Sequence, residues 1–258
     1  MRLYGRYFSM HFRAAMEYKF SFVLTSMGQL FSSFTAFLSL YFLMDRFNAV
    51  AGFTFADVLL CFSVIWMAFA LAECFFRGFD TFRGIISNGE FDRMMVRPRG
   101  LIFQVLCHKI EFTRIGRLAP AAAMFIYALP RCGVIWTGGK AATLTLMVLG
   151  GVVLFSALFL CYASICFFTT EGLEFMNIFT DGGREFGAYP LSVYGEGVLR
   201  FFTYAVPLAC VQYYPLLFLL GKSQNPLYAL TPLAAFAFAG AAYGFWRFAM
   251  RHYKSTGS

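Results

Sequence analysis

Charge is what this sequence has least of. Asp, Glu, Lys and Arg make up 13% of its 258 residues, about half the roughly 25% of a soluble globular chain. That excludes an ordinary water-soluble domain. Histidine is scarce, and His11, His108 and His252 lie far apart, so no HExxH metal helix is present. Cys61, Cys74, Cys107, Cys132, Cys161, Cys166 and Cys210 include no CxxC pair and mostly sit within apolar runs. They read as small buried hydrophobes, and a disulfide framework or metal site is not expected. No GxSxG nucleophile motif occurs. The phosphate loop GxxxxGK[ST] is missing too. Gly221-Lys222-Ser223 matches its tail, but Leu216 stands where the first glycine belongs; Gly139-Lys140 is followed by Ala141.

What remains is apolar. Hydrophobic residues make up 60%, with 35 Phe and 14 Tyr, and mean hydropathy is +0.66. A membrane span needs about 20 apolar residues. The runs 20–44, 55–76, 102–130, 141–169 and 228–250 meet that need. In 102–130, His108, Lys109, Glu111, Arg114 and Arg117 crowd the first half, which places the start of its lipid-buried part near Leu118. Asp57 and Glu73 fall near the ends of the second run, where water is close, and no central charged ladder is visible. The stretch 171–220 allows two readings. Hydropathy makes 201–220 the fifth span, despite Pro207 and Pro215, and leaves Glu171, Glu174, Asp181, Arg184, Glu185 and Glu196 outside lipid. Alternatively, 171–189 is a polar helix facing other helices and 190–220 is a broken, re-entrant unit. Both readings give the same fold class: an all-α integral membrane protein with six transmembrane helices in a single domain, 1–258.

Basic residues set the orientation. Arg2, Arg6, Arg13 and Lys19 precede the first span. The segment 77–117 holds Arg77, Arg83, Arg93, Arg97, Arg99, Lys109, Arg114 and Arg117. Arg247, Arg251 and Lys254 close the chain. The opposite loops hold Arg46, Arg131, Lys140 and Lys222. The asymmetry predicts cytoplasmic N- and C-termini. The net charge of +8 then points to topology and anionic lipid headgroups, with no nucleic-acid partner expected.

The most informative loop is 77–101. Ser87-Asn88-Gly89 signals a turn. After it, Asp92, Arg93 and Arg97 form a charged face and Phe91, Met94 and Met95 an apolar one, ended by Pro98 and Gly100. A short amphipathic helix here suits docking of a cytoplasmic partner or simple contact with lipid.

The pattern Gly89-x-Phe91-Asp92-x-x-Met95-Val96-Arg97-Pro98 resembles the cytoplasmic motif of bacterial ABC-2 type exporter permeases, in the six-span branch with a separate ATPase subunit. Tyr189-Pro190-Leu191-Ser192-Val193-Tyr194, then Pro207, Tyr213-Tyr214-Pro215 and Leu219-Leu220-Gly221 resemble the same branch. The resemblance covers nearly the whole chain. It implies an amphipathic interface helix at 1–19 and a coupling helix between spans two and three, seated in the ATPase subunit. It also implies a re-entrant region before the last span, carrying Tyr189, Pro190, Pro207, Tyr213, Tyr214 and Pro215. For the docking contact, Glu90, Asp92, Arg93 and Arg97 are the charged candidates, with Phe91 and Met94 as apolar anchors. The resemblance implies no catalytic residue and no cofactor on this chain, ATP and Mg on the partner ATPase, and a second permease, the same or paralogous. The setting it implies is multi-pass in the bacterial plasma (inner) membrane, with a lipid-like, amphipathic or hydrophobic peptide or drug as cargo. The competing classes are an ATPase-independent secondary transporter, an intramembrane lipid-modifying enzyme and a scaffold that anchors a partner.

Overall fold

The structure, a computed structural model, describes residues 2–47, 49–169 and 174–253; Glu171 and Lys254 fall outside them. Thirteen α-helices occur among the described residues: α1 Arg2–Glu17, α2 Lys19–Phe47, α3 Phe55–Asp80, α4 Phe82–Ser87, α5 Glu90–Met95, α6 Leu101–His108, α7 Ile115–Ala128, α8 Gly138–Ile165, α9 Asp181–Gly187, α10 Glu196–Tyr204, α11 Leu208–Val211, α12 Tyr213–Leu219 and α13 Ala234–Arg251. Short 3-10 turns cover Phe112–Arg114, Glu174–Ile178, Leu191–Tyr194 and Pro226–Leu233. The only bridge among the described residues is the isolated Val50–Phe53 pair.

Four helical stretches are long and apolar enough to cross a membrane: Lys19–Phe47, Phe55–Ser87, Gly138–Ile165 and Pro226–Arg251. Glu196–Tyr204 and Leu208–Leu219 would make a fifth if taken as one span, but they meet at 86°. The predicted run 102–130 is divided. α6 ends at His108, and after a turn α7 spans 14 residues, about 21 Å at 1.5 Å per residue. The break falls where Lys109 and Glu111 interrupt the apolar sequence, and the Glu111 backbone N–H donates to the Cys74 carbonyl at 3.1 Å.

α3 is the central post, buried along most of its length, with α7 on one side and α8 on another. Thr54 and Asp57 start it with a reciprocal capping box. Asp57 and Glu73, expected near water, are each only 4% exposed. Two glycines set the closest helix contacts. A Cβ at Gly116 would fall 2.0 Å from the Ser26 carbonyl oxygen, and one at Gly78 would fall 2.0 Å from that of Val105. Glycine is therefore what lets α7 touch α2 and α3 touch α6. α2 stays outermost, with Phe20, Phe31 and Phe42 exposed.

Contacts also sort the ends of the bundle. Phe82 packs on Trp246 and Phe91 on Tyr253, while His11 bonds the Cys107 carbonyl at 2.9 Å. Thus α1, the α4–α6 segment and the end of α13 share one end. At the other end, Lys222 bonds the Gly52 carbonyl at 2.7 Å and Lys140 that of Leu219 at 2.8 Å.

Candidate functional site

The loop α4–α6 is built on a left-handed glycine. Gly89 has φ +65° at the N-cap of α5, a conformation side chains rarely tolerate, and it turns the chain as Ser87-Asn88-Gly89 predicts. Phe91 is fully buried, with Phe82, Phe167 and Tyr253 at ring-centroid distances of 5.5, 5.1 and 5.0 Å. Met94 is 6% exposed. These two residues, expected to be anchors for a partner, face inward and seat the loop on its own bundle. They meet the aromatic cluster, while Met95, the third apolar residue of the short helix, stays exposed. Gln104 pins the loop's return, donating to the Met94 carbonyl at 2.9 Å and the Arg99 carbonyl at 3.0 Å. Arg93, Met95, Val96 and Arg97 form the exposed tip, with Val96 84% exposed. Glu90 and Asp92 are half-buried, and Glu90 lies 3.7 Å from the His108 ring.

Behind the loop lies an ionic cluster. Arg117 is hydrogen-bonded to Glu73 and donates to Gln29 at 2.7 Å. Arg77 and Arg114 also approach Glu73, at 3.4 and 3.5 Å. Arg77 pairs with Asp80 and, at 3.1 Å, with Glu111, which Arg114 reaches at 3.4 Å. Burial pushes the Glu111 carboxyl up, but Arg114, Arg77 and Lys109 outweigh it and hold the group below the usual carboxylate range. The three-residue spacing of Glu111, Arg114 and Arg117 is a partial signal in the sequence. The Glu73–Arg117 pairing across α3 and α7 had none.

The third feature is α9. Its Arg184 guanidinium lies 4.8 Å from the Trp66 ring and 4.9 Å from the Phe69 ring, both at the middle of α3. Gly183 faces Phe155 of α8, and Gly187 packs on Ile65. α9 therefore packs at the level of the middle of α3, between α3 and α8. Arg184 pairs with Asp181 at 3.2 Å and Glu185 at 2.7 Å, yet those carboxylate side chains are 57% and 55% exposed. Charged groups at membrane mid-depth cannot face hydrocarbon without a cost of about 2.5–3.5 kcal/mol each.

The flanking motif residues converge near α9 and the far end of α2 and α3. Tyr189, with Val193 and Tyr194, lines a cavity of about 480 Å³ against Leu43 and Phe47 of α2. Pro190 and Pro215 are buried, and Pro207 sits at the 86° bend. Tyr213 stacks edge-on against Phe53 at 6.4 Å, and Tyr214 bonds Thr203 at 3.1 Å. Gln212, which the sequence did not single out, is fully buried. Its amide donates to the Tyr189 carbonyl at 2.8 Å, the Gly187 carbonyl at 3.3 Å and the Cys61 sulfur. It ties the bent pair to the α9 exit.

A family model described as ABC-2 family transporter protein matches residues 30–257. No curated protein and no solved structure matches the chain.

Proposed function

Because this chain belongs to the ABC-2 transporter family, we propose that it forms half of a translocation path in an ATP-driven exporter. The family's membrane subunits are typically non-catalytic and work with ATPase partners. In this reading, cytoplasmic ATPase subunits bind ATP and Mg²⁺, close on one another and move the α4–α5 loop. A second permease, the same or paralogous, completes the path, and the cargo is amphipathic or lipid-like. The loop end of the bundle is cytoplasmic, in keeping with its basic residues, and the membrane is the bacterial plasma membrane.

We read the chain as six crossings. α7 is the third, the segment through α9 is the fifth, and 190–222 is a re-entrant unit. Supporting this, both flanks of the bent pair meet the same end of α2 and α3: Tyr189 lies against Leu43 and Phe47, and Lys222 against Gly52 and Asp57. Irregular backbone at that depth is stable only against protein or a water-filled cavity.

One observation carries the path assignment: Asp181 and Glu185 are exposed on a helix that packs against the middle of α3. Such groups need water or a second subunit beside them. In the reconstituted complex, Asp181→Cys is expected to react with a membrane-impermeant maleimide or to form a subunit-to-subunit cross-link. Phe42→Cys on α2 is expected to do neither. A protected, uncross-linked Cys at 181 would place that face in lipid and remove the path assignment.

A further inference from the structure

The α1–α6 side of the bundle holds a cavity of about 420 Å³ that the translocation path does not use. Its walls divide by chemistry. Arg97, Arg99, His11 and His108 supply cationic or donor groups, and Tyr7 and Phe103 give an apolar wall with Leu3 and Met10. On α1, Leu3, Tyr7, Met10 and His11 fall on one helical face, and the His11–Cys107 bond holds that face against α6. A smaller hollow of about 120 Å³ adjoins it, lined by Arg93, Arg97, His108, Met94 and Glu90. Glu90 is the one carboxylate lining either hollow, and it already lies 3.7 Å from His108.

Depth narrows the ligand further. Ile102 and Leu106 of α6 pack with Phe76, Phe79 and Val153 in the apolar interior, while Arg97 and Arg99 at its start are exposed. The cavity thus straddles the boundary between apolar bundle and water. A ligand suited to both walls is an anion with a hydrocarbon tail. Guanidinium groups bind phosphate oxygens in bidentate fashion, and the tail would lie along Tyr7, Met10 and Phe103.

We propose that this cavity binds an anionic phospholipid of the adjacent leaflet, with Arg97 and Arg99 on its phosphate. The lipid bridges α1 and the return of the α4–α5 loop. The site is built from this chain alone; Arg97 also belongs to the exposed tip, so Arg99, which does not, carries the test.

The test uses the full chain in phosphatidylcholine nanodiscs, probed with short-chain phosphatidylglycerol and read by native mass spectrometry. Phosphatidylglycerol is expected to be retained over added short-chain phosphatidylcholine. Arg99→Ala is expected to lower retention about tenfold, and Arg97→Ala/Arg99→Ala further, the loss expected for charge-assisted bonds. Arg13→Ala, a basic residue on α1 outside the cavity, is expected to leave retention unchanged. Equal retention of the two lipids would overturn the proposal. So would an equal loss in Arg13→Ala, which would mean a diffuse basic surface. Displacement of the lipid by millimolar inorganic phosphate would make this a soluble-phosphate site and overturn it as well.

Discussion

Glu73→Ala is expected to lower stability by about 3–5 kcal/mol, the loss typical of breaking a buried ion pair from one side. Glu73 is 4% exposed and is approached by Arg77, Arg114 and Arg117. Asp80 and Glu111 partner Arg77, and Glu111 also partners Arg114. Arg117 has Glu73 as its only ion-pair partner among the described residues, with Gln29 as a neutral second. Removing the carboxylate leaves the Arg117 guanidinium buried without its counter-charge over Trp66 and Phe69. Glu73→Gln keeps a hydrogen-bond acceptor and is expected to fall between wild type and alanine. Glu73→Leu with Arg117→Met removes both charges and is expected to recover much of the loss. Thermal unfolding in detergent measures all three. A Glu73→Ala protein as stable as wild type would show that the cluster is solvated and does not hold α3 to α7.

Phe91→Ala is expected to cost a further large amount, about 3–5 kcal/mol for a fully buried aromatic. Phe91 is 0% exposed and meets Phe82, Phe167 and Tyr253 edge-on. Its neighbours also tie α4 to α13 through the Phe82–Trp246 contact. The cavity left by alanine loosens the loop from the bundle, so limited proteolysis should cut near Ser87–Gly89 faster than in wild type. Val96→Ala, at an 84% exposed position, is expected to stay within about 0.5 kcal/mol of wild type. If Phe91→Ala changes neither stability nor cleavage, the loop is held by contacts other than this cluster.

Both substitutions fall where local sequence pattern does not encode the contact. Long apolar runs were legible because lipid imposes composition over a whole turn-by-turn stretch. α2, α3, α8 and α13 therefore lie where hydropathy puts them. The Asn88-Gly89 turn was legible because its chemistry is local. The inward face of Phe91 was not, because a six-residue helix has the same amphipathic pattern whether its apolar side meets a partner or its own chain. Glu73 read as a span-end charge near water. Its burial depends on Arg117 arriving from α7, which no local pattern encodes. α9 read equally well as an extramembrane segment. What places it against the middle of α3 is tertiary: Gly183 and Gly187 let its backbone approach Phe155 and Ile65, and Arg184 finds the Trp66 and Phe69 rings. Gln212 looked like one polar residue in an apolar run, and its role depends on carbonyls more than twenty residues away.

Under the proposed function, these features give the subunit two working parts. The exposed tip of the α4–α6 loop presents Arg93, Met95, Val96 and Arg97, and the aromatic cluster and Gln104 fix it to α3, α6 and α13. In that reading, a push on the tip moves the bundle as a rigid body, the kind of motion that opens packed helices. α3 carries that displacement from Phe79 at the loop end to Trp66 and Phe69 beneath α9.

Docking of an ATPase on this tip is tested by co-purification from native membranes in mild detergent. An ATP-hydrolysing subunit is expected to arrive in equal stoichiometry, and Met95→Glu/Val96→Glu is expected to release it while the permease itself stays folded. A permease that purifies without any ATPase, or an ATPase that stays bound to the Met95→Glu/Val96→Glu variant, would contradict it.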